Sequence, residues 1–147
     1  MSRLCLEDLS VGQRFVSRSF LVDAEAIKAF AREFDPQPFH LDAEAAKETL
    51  FGGLAASGWH TAAMTMRLIV ESVPLEGGVI GSGGDLSWPR PTKAGDSLRV
   101  ETEVLSIAPS RSKPDRGMIT MRSTTLNQNA EPVQIFTPKV VVQRRKA

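Results

Sequence analysis

A single cysteine, Cys5, occurs among the 147 residues. No internal disulfide can form, and a reducing compartment fits. Charge of either sign is scarcely in excess: 18 Lys and Arg stand against 17 Asp and Glu, a formal net charge of +1. That removes the electrostatic case for nucleic acid, whose readers carry a strongly basic face. Long hydrophobic runs are missing. The longest apolar stretch, from Ala62 to Val73, is interrupted by Arg67 and Glu71, and it is too short to span a bilayer. Glu7 and Asp8 occupy the N-terminus where a signal peptide would need an apolar core. A Gly-rich phosphate loop, a Gly-x-Ser-x-Gly elbow and a Cys-x-x-Cys pair are all absent. Dinucleotide, serine-hydrolase and redox chemistries therefore lack support. Two histidines, His40 and His60, with no second metal-type ligand nearby make no metal site. The expectation is a soluble cytoplasmic protein with no nucleic-acid or membrane partner.

What is present is ordinary globular material, 41% hydrophobic and 24% charged. The length allows one domain with a substantial core, and neither repeats nor a linker divide residues 1–147. Residues 12–22 read as a strand after the Gly12 turn. Asp23 is placed as an N-cap, with Glu25 in the first turn. Ile27, Phe30, Ala31 and Phe34 then follow at helical spacing, and Pro36 bars continuation. A shorter helix follows Asp42 and stops near Gly52-Gly53. A third starts near Ser57-Gly58. It is apolar on nearly every side and so is expected to be buried on most of them; Pro74 and Gly77-Gly78 close it.

The second half changes period. Val79-Ile80, Leu86 to Trp88, Leu98 to Ile107, Met118 to Leu126 and Val133 to Val142 read as strands separated by turn chemistry. In Leu98, Val100, Thr102 and Val104 the alternation is clean. Pro138 falls within the last run and points to an edge or a bulge. The basic tail Arg144-Arg145-Lys146 is expected to be solvated. The whole reads as α+β, an antiparallel sheet wrapped around one buried helix.

The segment Phe34-Asp35-Pro36-Gln37-Pro38-Phe39-His40 carries the chemistry. Asp35 and Gln37 each precede a proline, which pushes both toward extended backbone. The result is a stiff loop with an acid at one end and an imidazole at the other. This segment resembles the Asp-x-Asn-Pro-x-His signature of the MaoC-like dehydratases, relatives of the R-specific enoyl-CoA hydratases. Phe51-Gly52-Gly53-Leu54-Ala55-Ala56-Ser57-Gly58-Trp59 resembles the family's entry into its central helix. Pro89-Arg90-Pro91-Thr92-Lys93-Ala94-Gly95-Asp96 resembles its strand–turn–strand. The resemblance spans residues 10–143 and implies a single hotdog domain, at least dimeric, acting on acyl-CoA thioesters. No cofactor is expected, because the substrate itself carries CoA or a phosphopantetheine thioester. Gln37 departs from the usual Asn. Met66 stands where the hydratases carry a small or hydroxyl residue, so it is expected to reshape the acyl pocket.

Hydrating a 2-enoyl thioester requires a base for water at C3, a proton for C2, and donors for the charge that builds on the thioester oxygen. Asp35 and His40 are the candidate acid/base pair, in either assignment. Gly58, at a helix N-terminus, offers its backbone N–H to the oxygen. Gln37 is expected to brace the loop. Trp59 and Trp88 are candidates for lining the acyl channel, with aromatic core as the plainer reading. His60 is expected in the core or an interface. The basic loop Ser110 to Arg116 is a candidate for CoA phosphates or simply a solvated turn. Two other readings stay open: a hotdog thioesterase, for which the central helix offers only Arg67 and Glu71, and a non-catalytic acyl-CoA or acyl-carrier binding module.

Overall fold

The computed structural model describes residues 2–146. A 3-10 turn, Leu6–Asp8, precedes two short strands, β1 (Arg14–Val16) and β2 (Phe20–Leu21). Four helices follow: α1 (Ala24–Phe34), α2 (Pro38–Leu41), α3 (Ala43–Lys47) and α4 (Gly58–Ser72). Four long strands complete the chain: β3 (Ile80–Ser87), β4 (Ser97–Pro109), β5 (Arg116–Leu126) and β6 (Pro132–Gln143). The sheet is antiparallel in the order β1-β4-β5-β6-β3, with β2 also paired to β4. It curls over one face of α4, the architecture of a hotdog fold.

The alternation in β4 does what its pattern requires. Leu98, Val100, Thr102 and Val104 are all buried. Glu101 and Glu103 face outward, and Arg14 on β1 spans both at 3.1 Å. The core gathers Leu68 and Ile69 of α4 with Leu98, Val100, Ile119, Met121 and Val140 of the sheet. A buried hydroxyl pair, Thr65 to Thr125 at 2.7 Å, ties α4 to β5.

Several expectations shift. The strand expected over residues 12–22 is two strands whose pairings with β4 are out of step by one residue. Ser17 makes the break: its N–H donates to Val100 O, while its hydroxyl accepts from Val100 N–H. The helix after Asp42 ends at Lys47, not near Gly52. Thr49 turns its hydroxyl back onto Ala46 O and accepts from Phe51 N–H, competing with helical pairing. Pro138 is not on an edge, since β6 lies between β5 and β3. Its cross-strand partner is Gly84, where a Cβ would stand 2.5 Å from Pro138 Cα, and the irregularity falls on β3 between Gly81 and Gly83. Nor is the basic tail simply solvated. Arg144 Nε and the Arg145 N–H both donate to Glu7 at 2.9 Å, and the Arg145 guanidinium reaches Asp8.

The largest correction concerns α4. His60, Thr61, Met64, Thr65, Leu68 and Ile69 are buried, but Trp59, Met66 and Val70 are exposed. The sheet covers one side of this helix and leaves an apolar stripe on the other.

Candidate active site

Asp35 is delivered as the sequence implies. Asp23 caps α1 by accepting from Ala26 N–H, Ile27 and Ala31 bury its inner face, and Asp35 is its C-cap, donating its N–H to Ala31 O. Phe34, expected in the apolar stripe, is exposed. Beyond Pro36 the loop is shorter than expected. Pro38 begins a helical turn at the position where its missing N–H costs nothing. That turn, α2, carries His40 inward until it is 4% exposed.

The two groups meet. His40 Nε2 lies 3.3 Å from Asp35 Oδ2. On the other side of the ring, His40 Nδ1 is 2.6 Å from Ala55 O. A carbonyl only accepts, so Nδ1 holds its hydrogen there and Nε2 is the ring nitrogen left facing the carboxylate. Gln37 Nε2 donates to Asp35 Oδ1 at 2.5 Å, which gives the departure from Asn a bracing position. Burial pushes the Asp35 carboxyl up. The Gln37 amide, the Ser57 hydroxyl and the charge of His40 together outweigh it and hold Asp35 below its ordinary range.

His40 and Gly58 line one cleft of about 390 Å³, together with Gln37, Phe39, Thr61 and Trp88 among others. Asp35 does not itself line it and reaches it through His40 and Gln37. Gly58 is the first residue of α4. Among the described residues its N–H has no acceptor. The cap is Ser57, which accepts from Trp59 N–H at 3.3 Å. The cleft therefore brings together the His40 imidazole, backed by the Asp35 carboxylate, and an unpaired helix N-terminal N–H.

The remaining site residues divide. Trp88 lines the cleft, with its ring over Gly58. Trp59 does not; it is 62% exposed and packs perpendicular to Trp88, ring centroids 5.2 Å apart. Met66 does not either. It is on the open side of α4, away from the cleft of a single chain. His60 is buried against Phe30, ring centroids 4.8 Å apart, and burial pushes its pKa down. The loop from Ser110 to Arg116 contributes nothing to the cleft; Arg116 is paired with Asp115. Ser57, at the expected start of α4, is an N-cap residue type. Thr92, buried with a hydroxyl that has no partner among the described residues, and Gln134, a lone amide in an apolar strand, carried only weak signals. Among the described residues no three His, Cys, Asp or Glu side chains cluster as metal ligands, and no helix is long and apolar enough to cross a membrane.

A family model described as MaoC like domain matches residues 9–126. The chain belongs to the MaoC-like family. A MaoC-like dehydratase from Rhodospirillum rubrum is 65% identical, with 98% of this chain and 99% of that chain covered at a TM-score of 0.95. An R-hydratase from Pseudomonas aeruginosa is 29% identical over 99% of this chain and 89% of that one, with a TM-score of 0.79. The uncharacterized protein YdeM of Bacillus subtilis is 33% identical over 140 residues, 93% of this chain and 96% of that protein. The MaoC-like family is one of hydratases and dehydratases, and the hotdog architecture is common to these structures.

Proposed function

We propose that this protein interconverts a 2-enoyl-CoA and a 3-hydroxyacyl-CoA, with Asp35 and His40 as its acid/base pair. The observation that carries the reading is the 3.3 Å approach of His40 Nε2 to Asp35 Oδ2, with His40 in the same cleft as the unpaired N–H of Gly58. A water held by Asp35 Oδ2 and His40 Nε2 gives its hydroxyl to C3 as the pair takes its proton. The C2=C3 electrons move toward the thioester oxygen, which Gly58 N–H receives. The pair then returns a proton to C2. One water is added and nothing else is consumed; dehydration is the reverse. Positioned acid/base groups contribute ~10²–10⁴-fold, and a well-placed oxyanion donor ~2.7–4 kcal/mol.

The thioesterase reading has less to stand on. Glu71, the only acid on α4, is held by Arg18 at 2.8 Å and Arg67 at 3.3 Å, near the opposite end from Gly58. A second copy of the chain is the partner proposed for the open side of α4 and the exposed edge strand β3, to be checked by sedimentation equilibrium.

The test is hydration of but-2-enoyl-CoA, followed by loss of the enoyl-thioester absorbance. Asp35→Asn and His40→Ala proteins with native circular dichroism should lose roughly 10²–10⁴-fold in kcat/KM. Unchanged rates in both would end the proposal. Tight binding with no turnover in the unaltered protein would favour a binding module.

A further inference from the structure

One wall of the cleft is an indole held in place from inside the sheet. Trp88 follows directly after β3 and lines the cleft. A Cβ built on Gly58 would stand 2.8–2.9 Å from three atoms of its ring, so the ring lies flat against the start of α4. Its Nε1–H donates to Gln134 Oε1 at 2.9 Å. An indole nitrogen only donates, so this contact also fixes which end of the Gln134 amide faces it.

Gln134 is 1% exposed, on interior strand β6 between β5 and β3. The other fully buried β6 residues include Val133, Val140 and Val142. A valine would satisfy this position at no polar cost, whereas a buried amide is tolerated only when hydrogen-bonded. The bond it makes goes to Trp88, a residue still 40% exposed whose N–H water could otherwise satisfy. The buried amide therefore serves the orientation of the indole more than the stability of the strand. Trp59 adds a second support, its ring nearly perpendicular to that of Trp88 with centroids 5.2 Å apart.

We infer that Gln134 is a positioning residue that locks Trp88 as the end wall of the acyl pocket, and that this wall restricts the protein to short-chain acyl thioesters. The inference rests on the enoyl-CoA hydratase reading for its substrate. The cleft, about 390 Å³, lies near the lower end of the ~300–1,000 Å³ of small-molecule sites. It must take the thioester and the start of the pantetheine arm as well as the acyl group. A fixed indole blocks the cleft from lengthening on its side; a released one would open that side.

The experiment compares but-2-enoyl-CoA with oct-2-enoyl-CoA as substrates, and the unreactive butanoyl-CoA with octanoyl-CoA as ligands in calorimetry. The unaltered protein should favour the short thioester by roughly tenfold or more in both measurements, the discrimination a fixed apolar wall supplies. Trp88→Ala should erase most of that ratio. Gln134→Met, similar in length and without an acceptor, should move it the same way by a smaller factor, and Gln134→Glu, which keeps an acceptor, should restore it. In a Trp59→Phe background the emission of Trp88 should shift on Gln134→Met and return on Gln134→Glu. A loss shared equally by both chain lengths, with the ratio unchanged in folded Trp88→Ala and Gln134→Met proteins, overturns the inference. If nothing is hydrated yet the binding ratio collapses in Trp88→Ala, the wall stands and the hydratase reading fails. If neither turnover nor a binding preference is found, both fail.

Discussion

One wall of the cleft, Gln37 and His40 with Asp35 behind them, comes from six consecutive residues. A second wall, Trp88 with Gln134 behind it, joins residues 46 positions apart across two strands. The first wall holds the titratable groups and is set by local backbone: a helix end, two prolines and one helical turn. The second holds no titratable group and is set by sheet register, which brings the β3 exit beside β6. The difference teaches how the work is divided. Chemistry is placed by a short rigid segment, and shape by long-range packing. The two should therefore respond to mutation in separable ways.

The largest effect belongs to the first wall. His40→Ala removes the atom between Ala55 O and Asp35 and should reduce kcat/KM by roughly 10²–10⁴-fold, equally for short and long thioesters. Stopped-flow or steady-state assays on both chain lengths check this. A His40→Ala protein that lost activity only on one chain length would break the division, because a chemical group would then be acting as a shape element.

Gly58→Ala is next, and it acts where the walls touch. The substitution keeps the backbone N–H, so an effect through lost hydrogen bonding is excluded. The new methyl would meet the Trp88 ring at 2.8 Å, and the ring is not free to turn while Gln134 holds its nitrogen. Overpacking of this kind costs about 1–3 kcal/mol, or a Tm lower by about 2–4 °C per kcal/mol in a chain of this size. The expected outcome is a measurable fall in Tm together with a weakened preference for short thioesters. Pairing Gly58→Ala with Trp88→Phe should recover part of both, as contacting residues couple. Independent, additive losses would show that the indole does not bear on Gly58.

The same division accounts for what the sequence discloses. The first turns of the α1 stripe, the Asp23 cap, the start of α4 at Gly58, the β4 alternation and the approach of Asp35 to His40 all follow from local patterns, and each is found where expected. The α2 turn was hidden because Pro38 reads equally well as a loop residue or as a helix start. Ser17 and Thr49 cut a strand and a helix short through side-chain bonds that no periodicity records. Met66 shows the limit most clearly. Its match to a small or hydroxyl residue of the hydratases, on a helix expected to be buried all round, invited a pocket role, but rotation about α4 puts it on the open face. The bounding residue is instead Trp88, whose anchor Gln134 looks like an unexplained polar interruption in an apolar strand until register supplies its partner.

A smaller change should come from Gln37→Leu. Its amide is the foremost of the contacts that hold Asp35 low against the opposing effect of burial. Without it the carboxyl rises. A depressed carboxylate contributes stability that is present above its unfolded value and lost as pH falls through the folded one, so the variant should lose part of that contribution. If ionised Asp35 is the working form, the acid limb of the kcat/KM profile moves to higher pH while the plateau stays near that of the unaltered protein. A plateau that collapsed without any shift of the limb would mean that Gln37 only shapes the loop.

The smallest effect lies away from both walls and serves as their control. Hydrogen bonds from the Arg145 N–H and then the Arg144 side chain lower Glu7 from 4.5 to about 2. Its folded value is depressed, so its contribution to stability is complete above pH 4.5 and disappears as pH falls toward about 2. Glu7→Gln should thus flatten the Tm-versus-pH curve within that window. Turnover and chain-length ratio should stay unchanged at neutral pH, because Glu7 and Arg144 join the two ends of the chain and touch neither wall. A change in the ratio would mean that strain at the terminal clasp travels along β6 to Gln134. The shape wall would then be tuned from the far end of its own strand, and the separation of chemistry from shape would have to include the strand as a whole.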